Sequence, residues 1–278
     1  MAIAIERQGS NFEKGPTRAD VLESLRFACL VESNPKDVAN NSLLPAADRD
    51  DAPWLRRFVT TTWLPEESMH GVIFREYLIR SGAMQPAEID AEIKEVQKRG
   101  FPLGNGYSAL EACAYGWIQE MITWRFYQSM QQHAGDPLLS KILNDVGKQE
   151  NFHRYVYLTG AKTILKDEPS RKKEVIKTVT NFTMPGHHMA PELQRDAPKW
   201  AKQFNFPLHL LLRDISKGLV EMVGHEGLGE IILSYGAKNL PWYLKAPLAP
   251  LKIVAKSPIP PTHRIVGKLA DAAATRKK

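Results

Sequence analysis

Apolar residues recur along most of the chain at intervals of three and four, and no convincing alternating strand interrupts them. Thr17 with Asp20 forms a capping-box signature that opens a helix through about Asn40, its stripe running Leu22, Leu25, Cys29, Glu32. Pro35 should kink or end that helix, and Pro45 with Asp48, Asp50 and Asp51 reads as a loop. A second helix starts near Pro53 and runs to about Ser81, with Val59, Trp63, Phe74 and Tyr77 as its apolar stripe. Glu67 and His70 fill the two missing steps of that stripe, whereas Glu66, about 100° round, should face elsewhere. Pro65 predicts a local disturbance just before this pair.

After a short helix from Pro86 to Arg99 and a Gly-rich turn from Gly100 to Tyr107, Ser108 with Glu111 caps a long helix reaching about Gly135. Its stripe is Cys113, Trp117, Glu120, Trp124 and Tyr127. Asp136 and Pro137 then supply a cap and a first-turn proline for a helix through about Lys166, with stripe Leu139, Leu143, Val146, Glu150, His153 and Tyr157. Further helices are expected from Pro169 to Phe182 and between Pro191 and Tyr235, separated by a turn at Met184-Pro185-Gly186-His187-His188. The expected fold is all-α: a four-helix core bundle over residues 17–237 with additional packed helices, an irregular lead-in over 1–16, and an irregular C-terminal extension over 238–278.

Composition adds three restrictions. At 278 residues and 43% hydrophobic content the chain can bury a sizeable core. No run reaches the roughly 18–20 apolar residues that span a bilayer and the first fifteen residues lack a signal-peptide core, so a cytoplasmic protein with no transmembrane segment is expected. Only Cys29 and Cys113 occur, both read as small core residues, so any metal must use Glu, Asp and His. The net charge of +6 belongs to the tail: from Lys238 onward nine Lys/Arg face Asp271 alone, and six prolines from Pro241 to Pro261 forbid one continuous helix there. No aromatic-basic recognition module accompanies this charge, so nucleic acid is not an expected partner.

Glu32, Glu67, His70, Glu120, Glu150 and His153 therefore place four carboxylates and two imidazoles on the inward faces of four helices. An ionised carboxylate in an apolar core costs several kcal/mol unless paired or bound to a cation. In each Glu-x-x-His string, positions i and i+3 project from one side, so each can hold one metal ion. One Glu from each of two helices and Glu-x-x-His from each of two others is the donor pattern of ferritin-like di-iron carboxylate proteins, and its oxygen-rich character suits iron or manganese.

The segments Trp63-Leu64-Pro65-Glu66-Glu67-Ser68-Met69-His70-Gly71, Gln119-Glu120-Met121-Ile122-Thr123 and Glu150-Asn151-Phe152-His153, with Met184-Pro185-Gly186 downstream, resemble the soluble acyl-acyl carrier protein desaturases, in particular the bacterial branch found in actinobacteria. Leu30-Val31-Glu32-Ser33-Asn34-Pro35 matches more weakly, and the whole resemblance covers roughly Val21 to Pro191. It implies Glu67, His70, Glu120, Glu150 and His153 as iron ligands with Glu32 as the sixth, two iron ions as cofactor and O2 as co-substrate. It also implies Thr123 as a hydroxyl beside the oxygen-binding side, matched by position to a family Thr, and Trp63 as a Trp near the cluster. The activity implied is O2-dependent introduction of a cis double bond into an acyl chain carried by acyl carrier protein, with a ferredoxin-type electron donor and a homodimer.

Two departures matter. Gln149 stands where the family often has Asp, replacing an acidic partner of a ligand histidine by a neutral amide, and Leu64-Pro65 replaces a small polar pair. The same ligands also serve hydroxylation and other oxidations, and a non-catalytic metal-binding bundle is a third class. Trp117, Trp124, Phe126 and Tyr127 are candidates for an acyl slot, although such spacing also suits plain core. The basic tail is a candidate docking surface for an acidic carrier protein. His187-His188 is read as a loop, and Glu221 with His225 as a surface pair.

Overall fold

The computed structural model describes residues 15–100, 106–191 and 195–239, with side chains through residue 234. The expected lead-in and the basic tail fall almost wholly outside these residues. Among the described residues every regular element is helical, and the architecture is that of a ferritin-like bundle.

Helix α1 spans Arg18–Glu32 and opens on the expected reciprocal cap: Asp20 N donates to Thr17 Oγ1 at 3.2 Å and Thr17 N donates to Asp20 Oδ2 at 3.0 Å. It ends before Pro35, which starts the short helix α2, Pro35–Val38. The chain then stays helical where a loop was expected, through a π-helical segment Ala39–Leu43 and helix α3, Leu44–Arg49. Helix α4, Pro53–Phe58, repeats that design, running through a π-helical segment Val59–Trp63 into α5, Leu64–Arg80.

The two wide turns share a cause. Each is followed by Leu-Pro, and each Leu amide reaches back five residues: Leu44 N to Ala39 O, and Leu64 N to Val59 O. A proline within a helix lacks the N–H for the ordinary four-residue bond and crowds the carbonyl it would have used, so widening the preceding turn accommodates Pro45 and Pro65 without breaking the helix. The disturbance expected at Pro65 is this wide turn, which ends at Trp63, two residues upstream of it.

Helix α6 is Pro86–Arg99. Helix α7, Ala109–Gln131, carries the Ser108/Glu111 capping box, and α8, Pro137–Asp167, starts with Asp136 Oδ1 accepting from Leu138 N at 3.0 Å. A 3-10 turn Pro169–Arg171 precedes α9, Lys172–Thr180; the short α10, Gly186–Met189, and α11, Ala197–Gln203, follow. The last element, α12, Leu208–Asn239, breaks at Gly224, whose φ of 78° and ψ of 178° no helix accommodates. That break separates Glu221 from His225; both are exposed, and Glu221 instead pairs with Lys162 at 2.8 Å.

The bundle proper is two helix pairs, α1 along α5 and α7 along α8, with α5 also meeting α8. Close approach within each pair depends on a glycine. A Cβ on Gly71 of α5 would lie 2.8 Å from the Glu32 carbonyl oxygen of α1, and one on Gly116 of α7 would lie 2.7 Å from the Tyr157 ring of α8. Two apolar clusters fill the interior. One holds Leu55, Trp63, Trp117 and Tyr157, the other Leu25, Phe74, Tyr127 and Trp200. The six ionisable residues lie between them.

Candidate metal centre

Glu32, Glu67, His70, Glu120, Glu150 and His153 are all at most 8% exposed, and His70, Glu150 and His153 are fully buried. The structure brings them together as two overlapping groups whose donor atoms lie within 4.8 Å of one another: Glu32, Glu67, His70 and Glu150 in one, Glu67, Glu120, Glu150 and His153 in the other. Glu67 and Glu150 belong to both. Glu32 belongs only to the first group and Glu120 only to the second.

Both imidazoles turn Nδ1 inward. His70 Nδ1 lies 3.3 Å from Glu150 Oε1 and 3.6 Å from Glu67 Oε2; His153 Nδ1 lies 2.9 Å from Glu67 Oε1 and 3.8 Å from Glu150 Oε2. Yet both Nδ1 atoms, Glu67 Oε1 and both Glu150 oxygens are buried without a hydrogen bond of acceptable geometry. Carboxylate oxygens and imidazole nitrogens that converge without a hydrogen bond of acceptable geometry form a donor set suited to a cation, and bound metal would satisfy all five atoms at once. The donor set fits two divalent ions: four carboxylates balance their charge, and oxygen with imidazole nitrogen suits iron or manganese.

The outer atoms of the ligands are satisfied. His153 Nε2 donates to Glu66 Oε2 at 2.7 Å, and His70 Nε2 to Gln149 Oε1 at 2.8 Å. Trp63 Nε1 donates to Glu120 Oε1 at 3.1 Å, placing Trp63 beside the cluster as expected, and the Tyr127 hydroxyl donates to Glu32 Oε1 at 2.5 Å. The expectation that Glu66 faces elsewhere is corrected here: its backbone position is 100° off the stripe, but its side chain crosses the α5/α8 seam to reach His153. Its neighbour Glu67 was the only signal in the sequence. Tyr127 was legible as an inward residue but not as a partner of Glu32, which is ninety-five positions away.

Protonation follows from crowding. Burial, then the charges of Glu67 and Glu150, push Glu32 well above the usual carboxylate range, and burial with Glu150 and Glu67 does the same to Glu120. Burial also opposes ionisation of Glu67, but contact with His153 and the charge of His70 outweigh it and pull its pKa down. Glu150 likewise falls: burial and the Glu67 charge oppose ionisation, and contacts with His153 and His70 prevail. Burial disfavours charge on His70 and His153, yet Glu150 and its neighbouring carboxylates raise both well above the imidazole range. Cys29 and Cys113 are buried, and burial pushes Cys29 up to about 12, which fits inert core thiols.

A cavity of about 210 Å³ opens beside Glu32, lined by Phe27, Val31, Ile122, Phe126, Trp200 and Phe206 among others. Thr123 and Tyr127 also line it, and Tyr127 contacts Glu32. Of the four aromatics proposed for an acyl slot, Phe126 and Tyr127 line it, while Trp117 and Trp124 do not. Trp117 points into the other apolar cluster against Gly218, and Trp124 carries the guanidinium of Arg125 4.0 Å above its ring. The helix phase puts them on the wrong sides of α7. Trp200 and Phe206, distant in sequence, take their place. His187 and His188 are exposed. Glu32 also borders a second, more polar cleft of about 690 Å³ with Ser33, Asn34, Asp37, Ser68 and Arg75.

A family model described as fatty acid desaturase matches residues 39–205. The chain is 25% identical over 152 residues to a Mycobacterium tuberculosis protein named as an acyl-[acyl-carrier-protein] desaturase, DesA1, covering 52% of this chain and 43% of that one. It is 24% identical over 135 residues to stearoyl-[acyl-carrier-protein] 9-desaturase 6 of Arabidopsis thaliana, covering 47% and 34%. It is 25% identical over 154 residues to palmitoyl-[acyl-carrier-protein] 4-desaturase 2 of Ophrys sphegodes, covering 54% and 40%. The matched stretch thus spans less than half the length of each of these curated relatives.

Proposed function

The chain belongs to the acyl-acyl carrier protein desaturase family of fatty acid desaturases, and from that premise we propose that it is an O2-dependent di-iron desaturase acting on a fatty acyl chain carried by acyl carrier protein. The observation that carries this reading is the junction of two overlapping four-donor groups with an apolar slot, at Glu32. Glu32, Glu67, His70 and Glu150 would hold one iron, and Glu67, Glu120, Glu150 and His153 the other. Bound iron supplies the two-electron chemistry with dioxygen that no side chain can perform. Overall, one CH2–CH2 unit, O2, two electrons and two protons become a CH=CH unit and two water molecules.

The protein's share is positioning. Phe27, Val31, Ile122, Phe126, Trp200 and Phe206 exclude water and hold the alkyl chain against the Glu32 side of the cluster. Thr123, which lines the same slot as Glu32, would serve as the proton-donating hydroxyl on that side. Tyr127 and Trp63 orient the carboxylates of Glu32 and Glu120. The electrons come from a ferredoxin-type donor. No helix of the described residues is long and apolar enough to cross a membrane.

Incubation with acyl carrier protein substrates, reductase, ferredoxin and O2, followed by mass analysis, tests the proposal. An alkene about two mass units lighter is expected. A hydroxylated product with no alkene would transfer the same site to oxygenase chemistry, and a chain that binds no iron would reduce it to a bundle without a redox role.

A further inference from the structure

The outer partners of the two histidines are not equivalent. His153 Nε2 donates to the carboxylate of Glu66 at 2.7 Å, whereas His70 Nε2 donates to the amide oxygen of Gln149 at 2.8 Å. The bonds have the same geometry and different charge. A carboxylate behind an imidazole makes the inward nitrogen more basic and adds a negative charge near the bound ion; an amide fixes the ring but supplies neither.

A second observation points to the same half. Among the six candidate ligands, only Glu32 borders the open polar cleft of about 690 Å³. It belongs to the donor group of His70 and not to that of His153. The amide-backed half is therefore also the half that borders this cleft.

We propose that Glu66 and Gln149 make the two metal positions unequal: the group containing His153 and Glu120 binds the first divalent ion tightly, and the group containing His70 and Glu32 takes the second more weakly and exchanges it by way of the polar cleft. Gln149 is a positioning residue in this scheme, and the choice of an amide at that position sets the difference. This inference rests on the di-metal reading of the site and adds an order of filling to it.

Anaerobic titration of the full chain with ferrous ion, followed by calorimetry with a competing chelator, resolves the order. The wild type should show two steps. Glu66→Gln should weaken the tight step by about 10- to 100-fold and draw the two steps together, leaving the weak step unchanged. Gln149→Glu should strengthen the weak step alone, and it serves as the independent check if Glu66→Gln fails to fold by circular dichroism. Two equal sites in the wild type, or a Glu66→Gln variant in which both steps fall alike, would overturn the inference while leaving the di-metal site standing. A wild-type chain that takes up no iron would sink both.

Discussion

At the scale of single residues, the centre is a problem in charge balance. Without metal, the shifts leave Glu67 and Glu150 as carboxylates, His70 and His153 as imidazolium ions, and Glu32 and Glu120 as neutral acids, which sums to zero. Two divalent ions perform the same neutralisation, so their binding displaces up to four protons: one from each imidazolium and one from each neutral acid. The sign for stability follows. The unfolded values are about 6.5 for His and 4.3 for Glu, and all four groups lie above them in the folded protein. The metal-free fold therefore binds more protons than the unfolded chain and loses stability as pH rises. The His contribution is complete below about pH 6.5 and fades as pH climbs through the raised folded values, while Glu32 and Glu120 oppose folding increasingly above about pH 4.3. The melting temperature of metal-free protein should fall between about pH 5 and 8, and the gap to metal-loaded protein should widen. A pH indicator in weak buffer should register the released protons on adding ferrous ion; fewer than about two per chain would contradict the assignment.

At the scale of elements, the candidate ligands meet because helices come unusually close. Gly71 follows His70 directly, and a side chain there would meet the backbone of Glu32, an obstacle that cannot rotate away. Gly71→Ala should therefore move α1 from α5, costing about 1–3 kcal/mol in thermal or denaturant unfolding. It should also weaken the metal position that uses Glu32 more than the one that uses Glu120. Unchanged stability and equal loss at both positions would show that the crossing is slack. This close approach was invisible in the sequence, where Gly71 is one more helix glycine. Periodicity, by contrast, exposed all six candidate ligands, because each interrupts a buried stripe that a solvated face would not have. The capping boxes at Thr17 and Ser108 were legible because they are local. Pro65 signalled a disturbance but not its form, and the helical stretch before Pro45 was read as a loop, since a single added residue per turn hardly alters an apolar repeat. Glu66 was misplaced because phase fixes Cα and not the reach of a long side chain. The slot needed Trp200 and Phe206, whose relation to Thr123 exists only after folding.

At the scale of the whole molecule, the face of α5 and α8 outside the metal centre bears on assembly. Glu66 and Gln149 form its seam, and three residues farther along the same stripes stand Met69 at 53% and Phe152 at 49% exposure, followed by Val72 at 52% and Tyr155 at 61%. The two helices are antiparallel here, so Met69 and Phe152 flank the seam while Val72 and Tyr155 lie toward its opposite ends, and large exposed apolar side chains are poorly matched to solvent. The family resemblance implies a homodimer, and this face is the one to test as its interface. Both helices present it, so a two-fold axis near the seam would set each apolar stripe on its counterpart, and a stable interface needs about 800 Å² from each partner. Covering the seam would also dry the Glu66–His153 and Gln149–His70 bonds, tying metal retention to assembly. Phe152→Glu should place a charge at the interface and raise the dimer dissociation constant by on the order of 100-fold in sedimentation equilibrium, as expected for a central aromatic anchor. Because Phe152 is half exposed, its replacement should leave helicity and monomer folding intact. A wild-type monomer at high micromolar concentration, or a Phe152→Glu variant that stays fully dimeric, would move the interface elsewhere. Faster loss of iron from the dissociated variant, with unaltered uptake stoichiometry, would link the two.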